Sequence, residues 1–369
     1  MSHTRADRIA LSVIVVAVML FLAGCASSPD AKEDRRVADA VTDPAAQQVE
    51  IFYATDRAPG APGEYFGSER GVLSYGLAAV GIPPHHEVGR HETPSVFKFE
   101  WSPDERKHIT VNEVTPLGQE NFAELLERAL DLSPGRKLLV FVHGYNVEFA
   151  EATRLLAQFA TDLKFQGPAL LFSWPSQGGV TGYAVDETNV VWAHPHLVQV
   201  LDEVLDETSA EQIYLVAHSI GSRAVTRAYI TLAADRALSD LNPIVEMVLV
   251  APDIDADLFR QDVAPRLASN GIHVTVYASS SDRALTASKA FHGYPRAGDS
   301  GEALVIVEGV ETVDASDTAS GLLGHSYFAE DRRVMEDIYG ILQTRQRADG
   351  RFGLEAVDSA AGRYWTFRK

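Results

Sequence analysis

Two hydrophobic patterns alternate along most of this chain. Short uninterrupted apolar runs, such as KLLVFVH at 137–143 and QIYLVAH at 212–218, each precede a longer segment with apolar residues every three or four positions. The short runs are typical of strands buried on both faces, and the longer segments are typical of amphipathic helices. Their alternation predicts an α/β fold in which helices cover both faces of a mainly parallel sheet.

Further segments extend the predicted order of elements. The run PALLFSW is followed by a longer, less regular segment up to residue 204. The run VEMVLVA is followed by a predicted short helix near 258, and IHVTVYAS by another predicted helix near 287. ALVIVEGV at 303–310 is predicted as the last apolar strand, and YFAEDRRVMEDIYGILQTR as a closing amphipathic helix.

The predicted folded domain begins with β-rich runs. VEIFYAT, RGVLSYGLAAVGI and KHITVNEV are separated by glycine and proline, which favours an N-terminal group of strands. We expect the domain to span residues 49–346. Residues 347–369 form a C-terminal extension in which RYWTFR fits either an edge strand or a docked segment.

The first 24 residues are typical of a signal peptide. The basic MSHTRADR precedes an apolar run, IALSVIVVAVMLFLAG, that is shorter than the ~20 residues of a spanning helix. The run ends in LAGC, which resembles a bacterial lipobox, and Cys25 is the only cysteine of the chain. Cys25 therefore cannot form an intramolecular disulfide, and we expect it to accept a lipid. An uncleaved signal anchor with an incidental cysteine is the alternative.

The segment that starts at Cys25 predicts how the domain is attached. Residues 25–48 are rich in Ala, Asp, Ser and Pro without a sustained apolar period, which is typical of a flexible tether. Ala26 and Ser27 follow the cysteine, so the position directly after it is not aspartate. By similarity to the bacterial lipoprotein sorting pattern, this implies attachment to the outer membrane, facing the periplasm.

Composition limits the class of function. Hydrophobic residues make up 46% and charged residues 22% of the 369 residues, which suffices for a substantial core. The net charge of −19 at pH 7 argues against nucleic-acid binding, because that needs a basic surface. The same charge disfavours anionic small molecules, except where a local pocket departs from the average.

The stretch LVAHSIGSRAV at 215–225 carries a candidate nucleophile. An apolar strand run precedes Ser219 and a helical pattern follows it, which is the context of a nucleophile elbow. The tight turn requires small residues two positions before and two positions after the serine. Gly221 meets this requirement, and Ala217 exceeds it by one methyl group. A serine that only caps the following helix is the alternative.

Acyl transfer also needs two backbone N–H donors for the oxyanion. We expect one at Ile220, directly after Ser219, and the other at Gly144 and Tyr145 in FVHGYN, where a predicted strand ends. Gly144 allows the chain to turn back toward the serine. His143 precedes the serine along the chain, and we interpret it as a residue that fixes this loop rather than as the base.

Three histidines after Ser219 are candidates for the general base. His273 lies inside a strand run, which is typical of a packed residue, and His292 lies in AFHGYPR, which fits a surface loop. His325 lies in GLLGHSYF, a glycine-flanked loop before the closing helix. This place after the last predicted strand favours His325 as the base.

Two places are candidates for the acid that orients the base. Asp282 follows IHVTVYASSS, whereas Asp253 and Asp255 follow VEMVLVA. Because the carboxyl ends of parallel strands meet at one edge of a sheet, both places are compatible with a triad. Asp282 gives the hydrolase order Ser–Asp–His with the acid in its commoner place, so we favour it and keep Asp253 and Asp255 as alternatives.

Metal binding is not indicated. His194 and His196 flank Pro195, which favours a turn, and His85 and His86 are adjacent in the chain. Neither pair has the i, i+4 spacing of a helical metal site or an acidic partner at ligand spacing. We therefore expect no metal site.

Seven phrases together resemble one family, the bacterial "alpha/beta hydrolase of unknown function" family, or domain of unknown function 900. They are FYATDR, FVHGYN, FSWPSQG, AHSIG, APDID, SSDRAL and GHSYF, and they spread over residues 49–346. The resemblance implies the α/β-hydrolase fold, no metal, no organic cofactor, and a triad of Ser219, Asp282 and His325. Family members commonly have methionine where this chain has Ile220, which leaves the backbone donor in place.

The sequence thus predicts an envelope-anchored serine hydrolase that cleaves a carboxylic ester or a related acyl bond of a small-molecule substrate. Residues 176–196 are expected to form either part of an acyl pocket or lid, or a covering helix. Two further hypotheses use the same fold: a binding or scaffold lipoprotein with little turnover, and an acyltransferase with the same triad. The sequence does not define acyl length or oligomeric state.

Overall fold

The computed structural model describes residues 46–94, 100, 102–177, 182–280, 282, 285, 288–289, 292–318, 329 and 331–368. The strands are β1 Gln47–Pro59, β2 Phe66–Ile82, β3 Thr110–Leu117, β4 Lys137–Val142, β5 Ala169–Ser173, β6 Gln212–His218, β7 Ile244–Val250, β8 His273–Ala278, β9 Val310–Asp314, β10 Leu354–Ser359 and β11 Gly362–Phe367. The helices are α1 Gln119–Asp131, α2 Phe149–Asp162, α3 Tyr183–Glu207, α4 Gly221–Asp235, α5 Ala256–Leu258, α6 Ala264–Ser269 and α7 Arg332–Thr344, with a π-helical turn at Phe259–Val263 between α5 and α6.

One 11-stranded sheet runs through the domain in the order β10-β11-β9-β8-β7-β6-β4-β5-β1-β2-β3. All neighbours from β11 to β1 are parallel, whereas β2 pairs antiparallel with β1 and β3, and β10 pairs antiparallel with β11. The predicted α/β class, with its mainly parallel sheet and β-rich N-terminal part, is therefore confirmed.

Helices pack on both faces of the sheet because the strand side chains alternate between two cores. In β4, Leu138, Val140 and Val142 enter one core, and Leu139 and Phe141 enter the other. Residues of α1, α3, α4 and α6 complete the first core, and residues of α2 and α7 complete the second. Both faces of the parallel strands are thus buried, as their uninterrupted apolar runs predict.

The chain reverses direction across the sheet at β4. From β4 it moves outward to β5, and it then returns to β6 on the other side of β4 before continuing to β7 and β8. In open parallel sheets, ligands bind outside the carboxyl ends of the strands where the order reverses. The fold therefore places the expected crevice above the ends of β4 and β6.

The segment after β5 differs from its prediction. From Tyr183 onward, the stretch expected to be irregular is one 25-residue helix, α3, and Pro195 lies inside it rather than in a turn. Proline removes one helical hydrogen bond, but the buried side chains of Val190 and Leu197 hold the helix against the core. The sequence predicts for residues 176–196 either part of an acyl pocket or lid, or a covering helix, and from Tyr183 onward these residues are helical.

The last predicted strand is also misplaced. ALVIVEGV at 303–310 is not a strand; instead β9 begins at Val310, where that run ends. Gly309 has φ 84° and the N–H of Val310 donates to the carbonyl of Val307, so a turn separates the apolar run from the strand. The C-terminal extension forms the hairpin of β10 and β11, and β11 joins the sheet beside β9.

No helix within the described ranges is long and apolar enough to cross a membrane. The predicted signal peptide, Cys25 and nearly all of the predicted tether lie outside those ranges. Their assignments remain predictions.

Candidate active site

Ser219 lies at a strained turn between β6 and α4. Its φ of 52° falls in the left-handed region, which is costly for a residue with a side chain. Its N–H donates to the carbonyl of Val250 at 2.9 Å, and its carbonyl accepts the N–H of Asp253 at 3.1 Å. The end of β7 and the residues after it therefore hold both backbone groups of Ser219 and fix the strained conformation.

The small neighbours of Ser219 meet the steric demands of this turn. A Cβ atom on Gly221 would collide with the carbonyl oxygen of His143, so only glycine fits there. Ala217 is fully buried in β6 between its strand partners Val142 and Leu249, and its methyl group is accommodated. The helix α4 has Ile220 at its N-cap position and no side-chain cap. Ser219 is thus positioned as an elbow residue rather than as a helix cap.

The loop after β4 comes against the serine at Gly144. A Cβ atom added to Gly144 would lie 3.0 Å from the Cβ of Ser219 and 2.7 Å from Nδ1 of His218. The absence of a side chain at Gly144 is what permits this approach. The structure therefore brings the two segments with the predicted oxyanion donors, around Tyr145 and Ile220, together at one place.

His143 supports the loop and remains neutral. A guanidinium only donates, so Nε2 of His143 accepts from Arg57 at 3.3 Å, and Nδ1–H donates to the carbonyl of Gly144 at 2.8 Å. Burial, reinforced by Arg57, lowers the pKa of His143 to about 3. The ring stacks on Trp174, whose Nε1–H donates to the His143 carbonyl at 2.9 Å. These contacts agree with the interpretation of His143 as a loop-fixing residue.

Arg57 ties the loop to the neighbouring strands, a role that the sequence does not reveal. It lies in β1 within FYATDR, is 2% exposed, and donates to the carbonyl of Val147 at 2.7 Å and to Oγ of Ser173 at 2.9 Å. Burial lowers its pKa to about 10, so Arg57 still carries its charge at neutral pH. FYATDR, which lacks an assigned role in the sequence, thus supplies the anchor of the FVHGYN loop.

Asp186 of α3 is a second anchor that sequence reasoning missed. Its fully buried carboxylate accepts the hydroxyl of Ser176 at 2.6 Å and the N–H of Gln177 at 2.9 Å, and it also bonds the backbone of Asn146. Burial raises the pKa of Asp186. The side chain joins the segments after β4 and β5 to α3, and its burial on one helical face is the only signal that the sequence offers.

Asp282 lies just beyond the end of β8, with a buried side chain. It is 3% exposed, and its Oδ1 accepts the N–H of Leu285 at 3.0 Å. His325, the predicted base, lies outside the described residues in the segment after β9. Since β9 is the parallel neighbour of β8, the chain leaves both strands at the same edge of the sheet. The pairing of Asp282 with His325 remains a prediction.

Asp253 is held in a network of ion pairs and hydrogen bonds. Its carboxylate accepts from Nε of Arg296 at 2.6 Å, from Oγ of Ser288 at 2.8 Å and from the hydroxyl of Tyr183, and it lies 3.5 Å from the guanidinium of Arg223. Burial alone would raise the pKa of Asp253, but the two arginines outweigh it and hold the pKa below its ordinary value. Both carboxylate oxygens of Asp253 therefore accept hydrogen bonds from arginine, serine or tyrosine side chains.

Asp255, His292 and His273 also have surroundings that differ from those of a triad residue. Asp255 caps α5 by accepting the N–H groups of Asp257 and Leu258, each at 3.0 Å. His292 bonds Glu187 through Nε2 at 2.8 Å and the carbonyl of Ser288 through Nδ1 at 2.8 Å. His273 begins β8 and so lies at the sheet edge opposite Ser219. Asp255 is thus engaged as a helix cap and His292 as a partner of Glu187, and the assignment of Asp282 and His325 stays a prediction.

A metal-binding cluster does not occur within the described part of the chain. There, no group of three or more His, Cys, Asp or Glu side chains is arranged to hold a metal ion.

The fold and the turn at Ser219 define a protein of the α/β-hydrolase type. The chain belongs to the family described as "Alpha/beta hydrolase of unknown function" (DUF900), whose model matches residues 119–345. The match begins after β1 to β3, so Arg57 lies outside the matched segment, and it ends before the C-terminal hairpin. Among curated proteins, none matches the chain.

Several solved hydrolase structures are similar to this chain at low identity. One is a fungal esterase from Rhizomucor miehei, with 11% identity, coverage of 81% of this chain and 84% of that chain, and a TM-score of 0.34. Phospholipase PlaB from Legionella pneumophila has 15% identity, coverage of 63% and 68%, and a TM-score of 0.36. An esterase from Pyrobaculum calidifontis has 10% identity, coverage of 82% and 86%, and a TM-score of 0.33. At such scores these similarities do not define a substrate.

Proposed function

We propose that the protein is a serine hydrolase that cleaves a carboxylic ester or a related acyl bond. The observation that supports this most is the backbone of Ser219, with φ 52° at the point where the strand order reverses and with Gly144 against its Cβ. A strained non-glycine residue persists only where its surroundings fix it, and such residues cluster at active sites. The family membership supports the same class of machinery.

In the proposed first step, Oγ of Ser219 attacks the carbonyl carbon of the substrate while His325 takes the hydroxyl proton. The carbonyl π bond opens, and its oxygen becomes an oxyanion that accepts the N–H groups of Tyr145 and Ile220. Ile220 precedes the first turn of α4, so the positive end of the helix dipole adds to this stabilisation. Arg57 and Asp186 act through the loop by holding its donors in place.

The proposed second step completes the reaction. His325 returns the proton to the leaving alkoxide as the bond between the carbonyl carbon and the alkoxide oxygen breaks, which leaves an acyl group on Ser219. A water molecule then attacks the acyl carbon while His325 takes one of its protons. His325 passes that proton to Oγ of Ser219 as the bond between the acyl carbon and Oγ breaks, which restores the hydroxyl and releases a carboxylic acid. Asp282 accepts Nδ1–H of His325, which fixes the tautomer and stabilises the imidazolium. These steps require no metal or organic cofactor.

An activity-based label tests the proposal. We expect a fluorophosphonate probe to label the purified protein and Ser222→Ala, but not Ser219→Ala. Ser222 is a matched control because it is another fully buried serine in the same helix turn. A chain-length series of p-nitrophenyl esters then measures turnover. No label on the wild type, or equal label on Ser219→Ala, would contradict the proposal and favour a binding or scaffold protein. Labelling without ester turnover would point to acyl transfer to another acceptor.

We also propose that a lipid on Cys25 anchors the domain to the bacterial envelope, at the outer membrane facing the periplasm. The apolar run that ends in LAGC and the absence of aspartate after Cys25 support this. We expect globomycin to block processing and Cys25→Ala to abolish palmitate incorporation. Continued incorporation in Cys25→Ala contradicts the lipid anchor without affecting the proposed chemistry.

A further inference from the structure

A cavity of about 320 Å³ lies beside the helix that follows Ser219, and Ser219 is not among its lining residues. This volume is within the roughly 300–1,000 Å³ range of small-molecule pockets. Its walls come from α3, α4, the segment that follows β7, and residues 292–296. These segments follow β5, β6, β7 and β8, which run parallel in the sheet, so the cavity lies toward the same edge of the sheet as Ser219.

One wall of this cavity is apolar. Ile254 and Val263, which are buried, and Leu258, which is 46% exposed, line the cavity with apolar side chains. A hydrocarbon chain lying on these side chains would leave water, which is favourable in proportion to the apolar area removed. The wall therefore suits the unbranched part of a small amphiphile.

The α4 residues that line the cavity carry positive charge. Arg223 is neutralised by Glu187 at 2.6 Å and by Asp253 at 3.5 Å. Arg227, one turn later, is exposed and lines the cavity, and within the described part of the chain its guanidinium forms no ion pair or hydrogen bond. Among the described residues, Arg227 is thus a cavity-lining cation that no ion pair neutralises.

The acidic residues of the cavity determine which kind of anion Arg227 can bind. Glu187 and Asp255 also line the cavity, and their carboxylates repel a doubly charged group more than a singly charged one. A carboxylate carries one charge and can bind the guanidinium fork through two oxygens. A ligand with a singly charged anionic head beside Arg227 and a hydrocarbon chain over Leu258 therefore matches both the charged and the apolar residues of the cavity.

We infer that this cavity binds a medium-chain carboxylate, with its head at Arg227 and its hydrocarbon chain against Ile254, Leu258 and Val263. The site goes beyond the proposed function, since it uses neither Ser219 nor the predicted triad. The acidic chain as a whole disfavours anions, and Arg227 gives this cavity a local positive charge that departs from that average.

Calorimetric titration with octanoate tests the inference on the full-length protein. We expect saturable binding that strengthens from hexanoate to octanoate by up to about fourfold per added methylene. Octylammonium and octyl phosphate should bind more weakly than octanoate. Octylammonium binding as tightly as octanoate, or no carboxylate binding at millimolar concentrations, would overturn the inference.

Variants locate the ligand within the molecule. Arg227→Gln should weaken octanoate binding about three- to tenfold, and Leu258→Asp should abolish it; both positions are exposed enough to tolerate the change. Arg260→Gln is the control, because Arg260 is an exposed arginine of the adjoining π-helical turn that pairs with Asp257 outside the cavity wall. Unchanged affinity in Arg227→Gln would refute the assigned head-group site.

The Ser219→Ala variant separates this inference from the proposed hydrolase function. It should bind octanoate like the wild type, even though it is not labelled by the fluorophosphonate. Loss of octanoate binding in Ser219→Ala would place the carboxylate at the nucleophile and overturn the cavity assignment. A wild type that binds octanoate but resists labelling would instead defeat only the hydrolase proposal.

Discussion

Asp253 follows β7 and Asp282 follows β8, and both side chains are almost completely buried, at 1% and 3% exposure. They differ in what surrounds them. The two oxygens of Asp253 are bonded by groups from other segments, among them Arg296 and Tyr183. The observed bond of Asp282 to the N–H of Leu285 is a contact within its own loop. The two aspartates lie at the same edge of the sheet, and Asp253 there belongs to a network that joins several segments.

If Asp282 is the triad acid, as we propose, then burial alone does not distinguish a catalytic acid from a structural one, because Asp253 is equally buried. A triad acid must keep an oxygen for the Nδ1–H of the base, whereas the oxygens of Asp253 are engaged by its partners. These partners bring together the start of α3, the first turn of α4 and the loop before β9. Since the N–H of Asp253 also bonds the carbonyl of Ser219, the network helps to hold the backbone of the proposed nucleophile.

The largest expected effect follows from Asp282→Asn. If Asp282 orients the base, the amide presents a donor where an acceptor is needed, and turnover should fall roughly 10³- to 10⁴-fold. The free energy of unfolding should change much less, because asparagine keeps the shape of the side chain. Steady-state ester hydrolysis, with circular dichroism melting as the stability measurement, tests this. The same loss of turnover in Asp255→Asn but not in Asp282→Asn would reverse the assignment.

Asp253→Asn should show the opposite pattern, with stability affected more than chemistry. Removing the charge leaves Arg223 and Arg296 without their shared buried partner, which costs about 3 kcal/mol in the free energy of unfolding. Turnover per folded molecule should fall less than in Asp282→Asn. Guanidinium unfolding curves and active-site titration measure the two quantities separately. A fully stable Asp253→Asn protein without turnover would show that Asp253 takes part in the chemistry.

The sequence predicts the local features on which this comparison rests. The strands and helices from β4 to α7 have periodic patterns, and the turn at Ser219 is specified by neighbours within a few positions. ALVIVEGV fails as a strand because the turn at Gly309 is stronger than the apolar pattern before it. Pro195 lies inside α3 because tertiary packing outweighs the preference of proline.

The sequence does not predict the partners of Asp253, nor the residues that hold the FVHGYN loop after β4. Arg57 donates to a carbonyl 90 positions later in the chain, and Arg296 bonds a carboxylate 43 positions earlier. Such contacts depend on the register of distant strands, and no local pattern encodes them. The place of an acid along the chain is therefore predictable, whereas its electrostatic surroundings come only from the fold.

The dependence of the free energy of unfolding on pH also tests the ion pairs of Asp253. Arg223 and Arg296 hold the pKa of Asp253 below its ordinary 3.8 in the fold, so the ionised group stabilises the folded state. This contribution is complete above roughly pH 5 and is lost as the pH falls through the folded pKa. The free energy of unfolding should therefore fall less steeply below pH 5 in Asp253→Asn than in the wild type. Parallel curves from unfolding titrations at several pH values would contradict the ion-pair role.

The smallest expected effect is that of Tyr183→Phe, which removes only the hydroxyl that bonds Asp253, Ser288 and Arg223. The ring centroid of residue 183 stays 5.3 Å from that of Tyr145 and 5.6 Å from that of His292. The FVHGYN loop, which contains Tyr145, therefore keeps this ring contact. Loss of a hydrogen bond to a carboxylate that keeps its arginines should cost about 1–2 kcal/mol and lower the melting temperature by a few degrees. The value of kcat/KM should stay within about twofold of the wild type, whereas Tyr183→Ala, which also removes the ring, should lower it further. A Tyr183→Phe variant as inactive as Asp282→Asn would mean that the hydroxyl contacts the substrate. The proposed roles of Asp253 in positioning and of Asp282 in catalysis would then be wrong.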